Sequence, residues 1–520
     1  MKKYFNTTGV CVENLHYMVD INDKIDKIVD LIEKNKYFVI NRPRQFGKTT
    51  TLSKLQMRLQ KDYVVIRISF EGIGDKAFSD EELMSKAIIK LFSKSLRKNN
   101  KELSRKLQQM VENVSNFMDL DEAISDFIYE SEKEVVLIID EVDKSSNNQL
   151  FLSFLGMLRS RYLNMIEGFE DSFKSVILAG VHDIKNLKLK IRNDEGIKYN
   201  SPWNIAVDFN IDMSFNCSEI GTMISDYNKD NGLNINVDQI SKEIYFFTSG
   251  YPFLVSRICQ IIDERFYPDE KESWNIKDIQ KSVKIINLEN NTLFESVIKN
   301  IENNKELYLL VRRILINGES IVFNRLDSII DLGITYGIFS DLDNVLKISN
   351  KIFEEILYNY MISKLSTKVQ DMSLYNFKNS FITEEGGLDI EEVLRKFQQY
   401  MKENYSSLDS KFIEREGRLI FMVFLTPIVN GVGFTFKEVQ ISEEKRLDIV
   451  VIYNNFKYII ELKIFRGKKY HEQGVNQLVD YLEINSLDKG YLVVFNFNKD
   501  KEYKEEKIPV DKKEIFTVFV

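Results

Sequence analysis

Tyr37-Phe38-Val39-Ile40-Asn41-Arg42-Pro43-Arg44-Gln45-Phe46-Gly47-Lys48-Thr49-Thr50 reads as a buried strand, a tight loop and the opening of a helix. The apolar run before Asn41 suits a strand covered on both faces, and Thr49–Gln60 has the spacing of an amphipathic helix. A loop held between such elements turns backbone N–H groups and a helix N-terminus towards phosphate oxygens. Gly47 permits close approach, Lys48 can reach the β- and γ-phosphates, and the Thr49 hydroxyl can hold Mg²⁺. Arg42 stands where the usual phosphate-binding loop has its first glycine, so the loop alone decides little.

A partner for the loop follows at Val135-Val136-Leu137-Ile138-Ile139-Asp140-Glu141. An apolar strand ending in two adjacent carboxylates suits a metal-binding Asp140 and a Glu141 that orients or polarises an attacking water. The expected nucleotide-binding set is therefore Arg44, Gln45, Phe46, Gly47, Lys48, Thr49, Thr50 and Asp140. Together with Val64–Phe70, Val176–Gly180 and Ile205–Phe209, the two runs make a series of strands alternating with helical stretches such as Glu81–Ser95, the pattern of a parallel α/β sheet. Val181-His182-Asp183 stands where a γ-phosphate sensor would sit, or where two polar residues cap the next helix. Arg159 and Arg161 read as a solvated helix face, or as an arginine finger in an oligomer. Gly250-Tyr251-Pro252 opens a helix of a lid over the nucleotide.

The 520 residues allow three or more compact units, and 44% hydrophobic with 29% charged residues is ordinary globular usage. Lys+Arg 71 against Asp+Glu 79 leaves a net charge of −8, which excludes a basic coat for nucleic acid but not a local groove. The 3 cysteines, Cys11, Cys217 and Cys259, lie far apart, so neither a zinc knuckle nor a disulfide framework is encoded. A reducing, cytoplasmic setting is expected. Only 6 prolines are present, so no Pro-rich tether joins the units. No apolar run approaches the roughly 20 residues that cross a bilayer, and Met1-Lys2-Lys3-Tyr4-Phe5-Asn6 lacks the apolar core of an export signal. No membrane partner is expected.

From Ser218 to Glu302 helical spacing dominates. In 303–362, strand candidates Gly333–Ile338 and Val345–Ile348 flank the turn Ser340–Asn344 and precede a helix at Lys351–Ile362, an order that resembles a winged helix. A polar joint at 363–386 leads to helices Ile390–Tyr405 and Ile413–Val429, strands Phe434–Gln440, Leu447–Tyr453 and Tyr458–Ile464, a helix Gln473–Glu483 and a strand Gly490–Phe497. Within Tyr458–Ile464, Glu461 and Lys463 share one face, and a hairpin through Tyr453–Lys457 brings Asp448 alongside. Two carboxylates and a lysine on one sheet face can hold Mg²⁺, activate a water and stabilise the charge of phosphodiester hydrolysis. A surface ion pair on an edge strand fits such apolar strands less well. Glu416, with Glu414 as its competitor, opens an upstream helix as a further metal-shell carboxylate. Gln477 and Tyr481, four apart on one helix face, reach the same place. Arg466-Gly467-Lys468-Lys469 is a solvated loop or a phosphate contact.

Asn6-Thr7-Thr8-Gly9, His16-Tyr17-Met18-Val19-Asp20, the loop at 41–50 and Ser201-Pro202-Trp203-Asn204-Ile205-Ala206 resemble the bacterial AAA-like ATPases whose loop reads R-P-R-Q-aromatic-G-K-T, relatives of the archaeal-type and STAND ATPases. In that family an arginine at the place of Arg42 is usual. The resemblance covers 1–362. Asp448, Glu461-x-Lys463 and Gln477-x-x-x-Tyr481, with Gly387-Leu388-Asp389 and Gly431-Val432-Gly433-Phe434 around them, resemble the PD-(D/E)XK nuclease superfamily in the version appended to such ATPases, over 387–500. Leu447 departs from the proline usual before the aspartate. The two resemblances imply an α/β chain. It comprises a P-loop NTPase parallel sheet of the additional-strand class at 1–215, a helical lid at 216–302, a winged helix at 303–362, a linker at 363–386 and an α/β nuclease-like domain at 387–520. They imply ATP and Mg²⁺ as cofactors, ATP hydrolysis coupled to Mg²⁺-dependent cleavage of nucleic acid with DNA the first expectation, and a homo-oligomer as a possible assembly. The alternatives are a STAND-like signalling switch or a winged-helix DNA-binding regulator, each with an inactive nuclease-like domain.

Overall fold

The structure is a computed structural model that describes residues 2–520 apart from 143–147, 182–202, 317–318, 367–371, 373–375, 377, 406–409, 430–432, 438–439, 443–444, 447–448, 455, 466 and 498–500. It divides into two compact units, Met1–Tyr308 with Val322–Glu355, and Leu309–Ile321 with Ile356–Val520. The divisions fall inside two helices, Lys305–Leu315 and Lys351–Ser366.

In the first unit, Phe38–Asn41 (β1), Val64–Ser69 (β2), Val135–Asp140 (β3) and Ser175–Gly180 (β4) form a parallel sheet in the order β1-β4-β3-β2. β4 therefore stands between the loop-bearing β1 and the acid-ended β3, with Phe38 opposite Ile177 and Ile139 opposite Leu178. Because the strands run the same way, Asn41, Asp140 and Gly180 all end on one edge, where α/β sheets bind ligands. The apolar residues of β3 and β4 are buried on both faces, as their unbroken runs require. Glu81–Leu96, Phe117–Tyr129 and Gln149–Glu167 supply the covering helices, each opened by a side-chain cap from Asp80, Asn116 or Asn148. The expected strand Ile205–Phe209 is reduced to one parallel bridge, Phe38 to Val207. The chain turns just before it through the Ala206 N–H to Trp203 carbonyl bond, and just after it the Ile211 carbonyl is taken by Arg42.

The lid comprises helices Cys217–Asp230, Val237–Thr248, Pro252–Ile261, Ile276–Leu288 and Thr292–Asn303. Asparagine caps open four of them, at Asn216, Asn236, Asn275 and Asn291, and the fifth begins on Pro252. Gly250 has φ +72, and a Cβ there would lie 1.9 Å from the Phe215 carbonyl oxygen, so only glycine fits.

Beyond the lid, Ser328–Thr335 is a helix capped by Asp327, followed by the hairpin Phe339–Leu342 (β5) and Val345–Ile348 (β6). This corrects the expected strand at Gly333–Ile338, whose first residues close the helix. The turn is also tighter than Ser340–Asn344. Asp343 and Asn344 take φ 51 and 64, the paired left-handed geometry of a two-residue hairpin, and Ser340 and Asp341 pair as strand residues.

The second unit holds a mixed sheet. Its strands are Gly433–Lys437 (β7), then, after the small pair Gln440–Ser442 (β8) and Lys445–Arg446 (β9), Ile449–Tyr453 (β10), Phe456–Ile464 (β11), Lys489–Phe495 (β12), Glu505–Val510 (β13) and Lys513–Phe519 (β14). The order is β13-β14-β12-β11-β10-β7, with β10–β11 an antiparallel hairpin and β11, β12 and β14 parallel. Helix Lys468–Ile484 buries Val475, Leu478 and Leu482 against Ile459, Leu492 and Ile515 of this sheet. β13 and β14 lie beyond the last strand expected from sequence.

Candidate functional sites

At the first edge, Gln45 and Gly47 both adopt left-handed φ, 56 and 78, and wind the loop so that helix Lys48–Leu59 begins directly after Gly47. Lys48 Nζ donates to the carbonyls of Arg42 at 2.7 Å and Pro43 at 2.8 Å, which sets the ammonium across the mouth of the loop. Arg42 is turned away from it. Its guanidinium donates to Asn41 O at 2.7 Å and Ile211 O at 2.6 Å and lies 5.2 Å from the Phe209 ring centroid. Burial pushes its pKa down, with Asp212 nearby working the other way. Arg42 thus ties the loop to the segment entering the lid.

The lid grips the loop from the other side. The Tyr251 hydroxyl donates to Arg44 O at 2.5 Å, and its ring meets Phe46 edge-on at 4.9 Å and Phe353 at 5.3 Å. Burial drives the Tyr251 pKa far up, so the phenol stays a donor. Gln45 Nε2 donates to Thr292 Oγ1 at 3.2 Å, and a Cβ on Gly337, in the turn before β5, would come within 2.6 Å of Pro43. Gly250-Tyr251-Pro252 therefore touches the loop directly, beyond opening a helix.

A cavity of about 320 Å³ adjoins Gly47 and Thr50. Asn6, Thr8 and Gly9 give it polar walls, and Met18, Met213, Phe215 and Phe253 apolar ones. The Thr50 hydroxyl accepts the Cys11 N–H at 3.2 Å, fixing this N-terminal strap against the helix. Next to Asn6, Phe5 enters a lid stack of Tyr17, Tyr227 and Trp274, with centroids 5.0, 5.2 and 5.8 Å away. A larger cavity of about 500 Å³ opens at the opposite edge, around Tyr63, Asn100 and Lys133, with no loop residue in its lining.

Asp140 ends β3 with only 7% of its side chain exposed. Its Oδ1 accepts the Glu141 N–H at 3.0 Å, and its Oδ2 meets Arg67 Nη2 at 3.1 Å. The same Nη2 lies 3.3 Å from the Thr49 backbone carbonyl, so one cation joins the expected metal carboxylate to the first turn of the helix after the loop. Thr49 and Asp140, offering hard oxygen donors, fit that ion. Glu141 has φ 55, which turns the chain sharply just past Asp140, and strain of this kind is held at functional ends of strands. Arg67 was not expected from sequence, although a charged residue inside Val64-Val65-Ile66-Arg67-Ile68-Ser69 was the available signal.

Arg161 is a correction. It is neither solvated nor a finger: 1% exposed, its Nη1 donates to Asp121 O, Asp121 Oδ1 and Ser125 Oγ at 3.1, 2.9 and 2.8 Å, and its Nη2 to Asp171 O at 3.0 Å. Arg159 donates to Asn204 Oδ1 at 3.0 Å. His182 and Asp183 lie outside the described residues.

In the second unit, β11 carries Glu461, 1% exposed, and Lys463. Lys463 Nζ lies 2.8 Å from Glu461 Oε1 and 3.2 Å from Gln477 Oε1, and Gln477 Nε2 donates to the buried Tyr481 hydroxyl at 3.0 Å. These four expected residues form one hydrogen-bonded row between a strand and the helix packed on it. Asp448 and Leu447 lie outside the described residues. Ile449, the next residue, pairs with Ile460, the neighbour of Glu461. Glu416 falls in helix Ser410–Val429, and its carboxylate, like the Arg466 position and the side chains of Lys468 and Lys469, lies outside the described set. Among the described residues no group of three or more His, Cys, Asp or Glu gathers to hold a metal, and no helix is long and apolar enough to cross a membrane.

A parallel sheet with an extra strand between a phosphate-loop strand and an acid-ended strand, under a helical lid, defines a P-loop nucleotide-binding protein. A family model for the AAA-like domain matches residues 14–355, and one for the PD-(D/E)XK nuclease superfamily matches 430–506. The chain belongs to the AAA-like ATPases and carries a PD-(D/E)XK nuclease-superfamily domain after the ATPase domain. No curated protein matches it. Among solved structures, the Walker-type ATPase of Pyrococcus abyssi is 13% identical, the match covering 68% of this chain and 99% of that one at a TM-score of 0.46. The RuvB Holliday junction branch migration motor of Thermotoga maritima is 13% identical over 65% of this chain and 95% of that one, at 0.34.

Proposed function

We propose that this protein binds and hydrolyses ATP with Mg²⁺ at its first site and, under control of the nucleotide, cleaves phosphodiester bonds in DNA at its second. At the first site Lys48 neutralises β- and γ-phosphate oxygens, Thr49 and Asp140 hold the metal, and Glu141 orients the attacking water. The cavity beside Gly47 and Thr50 receives the base and sugar. Tyr251 couples loop to lid, so occupancy of the loop reaches the lid through its hydrogen bond to Arg44 O, with Gln45–Thr292 as a second link.

At the second site Asp448, Glu461 and Glu416 hold Mg²⁺, which when bound polarises the phosphate and lowers the pKa of a water. Lys463 stabilises charge developing on the phosphate, and Gln477 and Tyr481 hold its ammonium in place. The observation that carries this reading is the row Glu461–Lys463–Gln477–Tyr481. An isolated ion pair in an apolar sheet has no need of the third and fourth members. The regulator alternative is disfavoured by charge. Helix Ser328–Thr335 carries Asp331, β5 carries Asp341 and the β5–β6 turn carries Asp343, which repel a phosphate backbone. A cytoplasmic setting and a homo-oligomer complete the proposal.

The test is a panel of plasmid, duplex and single-stranded oligonucleotides with Mg²⁺ or Mn²⁺, with and without ATP. Wild type should cleave, Asp448→Ala and Glu461→Ala should lose at least about 10³-fold, and Lys48→Ala should lose the response to ATP. Normal ATP hydrolysis with no cleavage of any substrate would overturn the nuclease half. An identical response to ATP in Lys48→Ala would overturn the coupling.

A further inference from the structure

We propose that Arg67 is a positioning residue that competes with the divalent cation for Asp140, so that metal capture at the nucleotide site requires release of the Arg67–Asp140 ion pair. This rests on the reading of the first edge as an ATP·Mg²⁺ site.

The register explains how the pair forms. β2 and β3 are parallel, with Ser69 opposite Asp140 and Arg67 opposite Ile138, so Arg67 and Ser69 share the face on which Asp140 stands. The arginine side chain is long enough to run forward along the strand to the binding edge. Its Nη2 then lies 3.1 Å from Asp140 Oδ2 and 3.3 Å from Thr49 O.

Occupancy of the carboxylate makes this contact decisive. Oδ1 accepts the Glu141 N–H at 3.0 Å and Oδ2 the Arg67 guanidinium at 3.1 Å, so both oxygens of the carboxylate are engaged. With 19% and 7% of the side chains exposed, water screens the pair weakly. A divalent cation bound to this carboxylate would stand within a few ångströms of the guanidinium, and like charges at such separation repel, so the pair opposes metal capture. On the proposal the cation takes the carboxylate by displacing Arg67. Until then Arg67 keeps a buried carboxylate compensated, and leaving it bare would cost more than either partner's presence.

The experiment titrates the full chain with a fluorescent N-methylanthraniloyl ADP in EDTA and over graded MgCl₂, for wild type, Arg67→Met and Arg67→Lys. Arg67→Met should lower the Mg²⁺ concentration at half-saturation about ten-fold, the worth of one charge-assisted hydrogen bond, and enlarge the gain in nucleotide affinity that Mg²⁺ confers. Arg67→Lys, which keeps the charge without the fork, should fall between. A half-saturation in Arg67→Met equal to or above wild type overturns the proposal. If Arg67→Met does not fold, Arg67→Lys decides by the same comparison. Failure of wild type to bind nucleotide at all, or binding undiminished in Lys48→Ala, would instead sink the nucleotide-site reading beneath it.

Discussion

Replacing Arg42 by the glycine that most phosphate-binding loops carry should damage this one. Arg42→Gly removes two short donations, to Asn41 O at 2.7 Å and Ile211 O at 2.6 Å, and the stacking of the guanidinium on Phe209. Two carbonyls left without that donor cost about 1–3 kcal/mol each where water cannot replace it, and glycine adds about 0.5–1 kcal/mol of backbone entropy. Release from burying a charge offsets part of this. The net expectation is about 3 kcal/mol, which in a unit this large lowers the melting temperature by about 4 °C. The Arg42 carbonyl also receives Lys48 Nζ at 2.7 Å, so a slackened loop misplaces the phosphate-binding ammonium and should weaken nucleotide affinity about ten-fold. Differential scanning fluorimetry and fluorescent-nucleotide titration measure the two effects, and Arg42→Lys, a charge without a fork, should lie between. A glycine variant that melts within about 1 °C of wild type and binds nucleotide as well or better would refute the reasoning, since the arginine would then be ornamental.

Tyr251→Phe removes only the hydroxyl bonded to Arg44 O, and should cost about 1 kcal/mol of stability and a few-fold in nucleotide affinity; unchanged affinity in a titration would strip this hydrogen bond of a part in linking lid to loop. Gly250→Ala should destabilise the first unit by more than about 3 kcal/mol, because a Cβ 1.9 Å from Phe215 O adds a collision to the left-handed penalty; a soluble variant with wild-type melting would contradict so close an approach of the two segments. For Glu391, burial alone would raise the pKa, but hydrogen bonds from Lys489, Lys507 and Arg395 override it and bring it to about 2. A depressed folded value means that its stabilisation is present above the unfolded pKa near 4.5 and is lost as pH falls towards 2. With Lys489 and Lys507 40% and 53% exposed, screening reduces this to on the order of 1 kcal/mol, and Glu391→Gln should flatten the acid limb of melting temperature by that amount; superimposable limbs would remove Glu391 from the account.

What was legible in the sequence was what is local. The loop at 41–50 and the strand ending at Asp140-Glu141 announce themselves because strand, glycine, lysine and paired acids are consecutive, and Glu461-x-Lys463 and Gln477-x-x-x-Tyr481 because strand and helix periods place each pair on one face. What escaped was tertiary. Arg67 and Asp140 meet only through a parallel register between segments about seventy residues apart. Arg161 looked solvated because nothing on its own helix shows that Asp121, Ser125 and Asp171 converge on it. β13 and β14 were hidden differently: Glu505–Val510 alternates exposed and half-buried residues around a proline, and the charges of Lys512–Glu514 mask the start of a buried strand. The first wing strand lies a few residues beyond its expected place because Gly333–Ile338 is apolar enough to suit a strand, whereas Gly333 makes room in a helix for the Phe339 ring.

The N-terminal strap gives the protein an optical property. Of its 2 tryptophans, Trp203 is sealed in the nucleotide-domain core, while Trp274 stands in the lid stack beside Phe5 and Tyr227. Phe5 is bonded in sequence to Asn6, which lines the cavity, and stacks between Tyr17, also in the lining, and the indole, so a ligand bound there is expected to shift the indole's emission. With Trp203→Phe, tryptophan emission becomes that of Trp274 alone, and a shift on adding nucleotide should then report on the cavity without a dye.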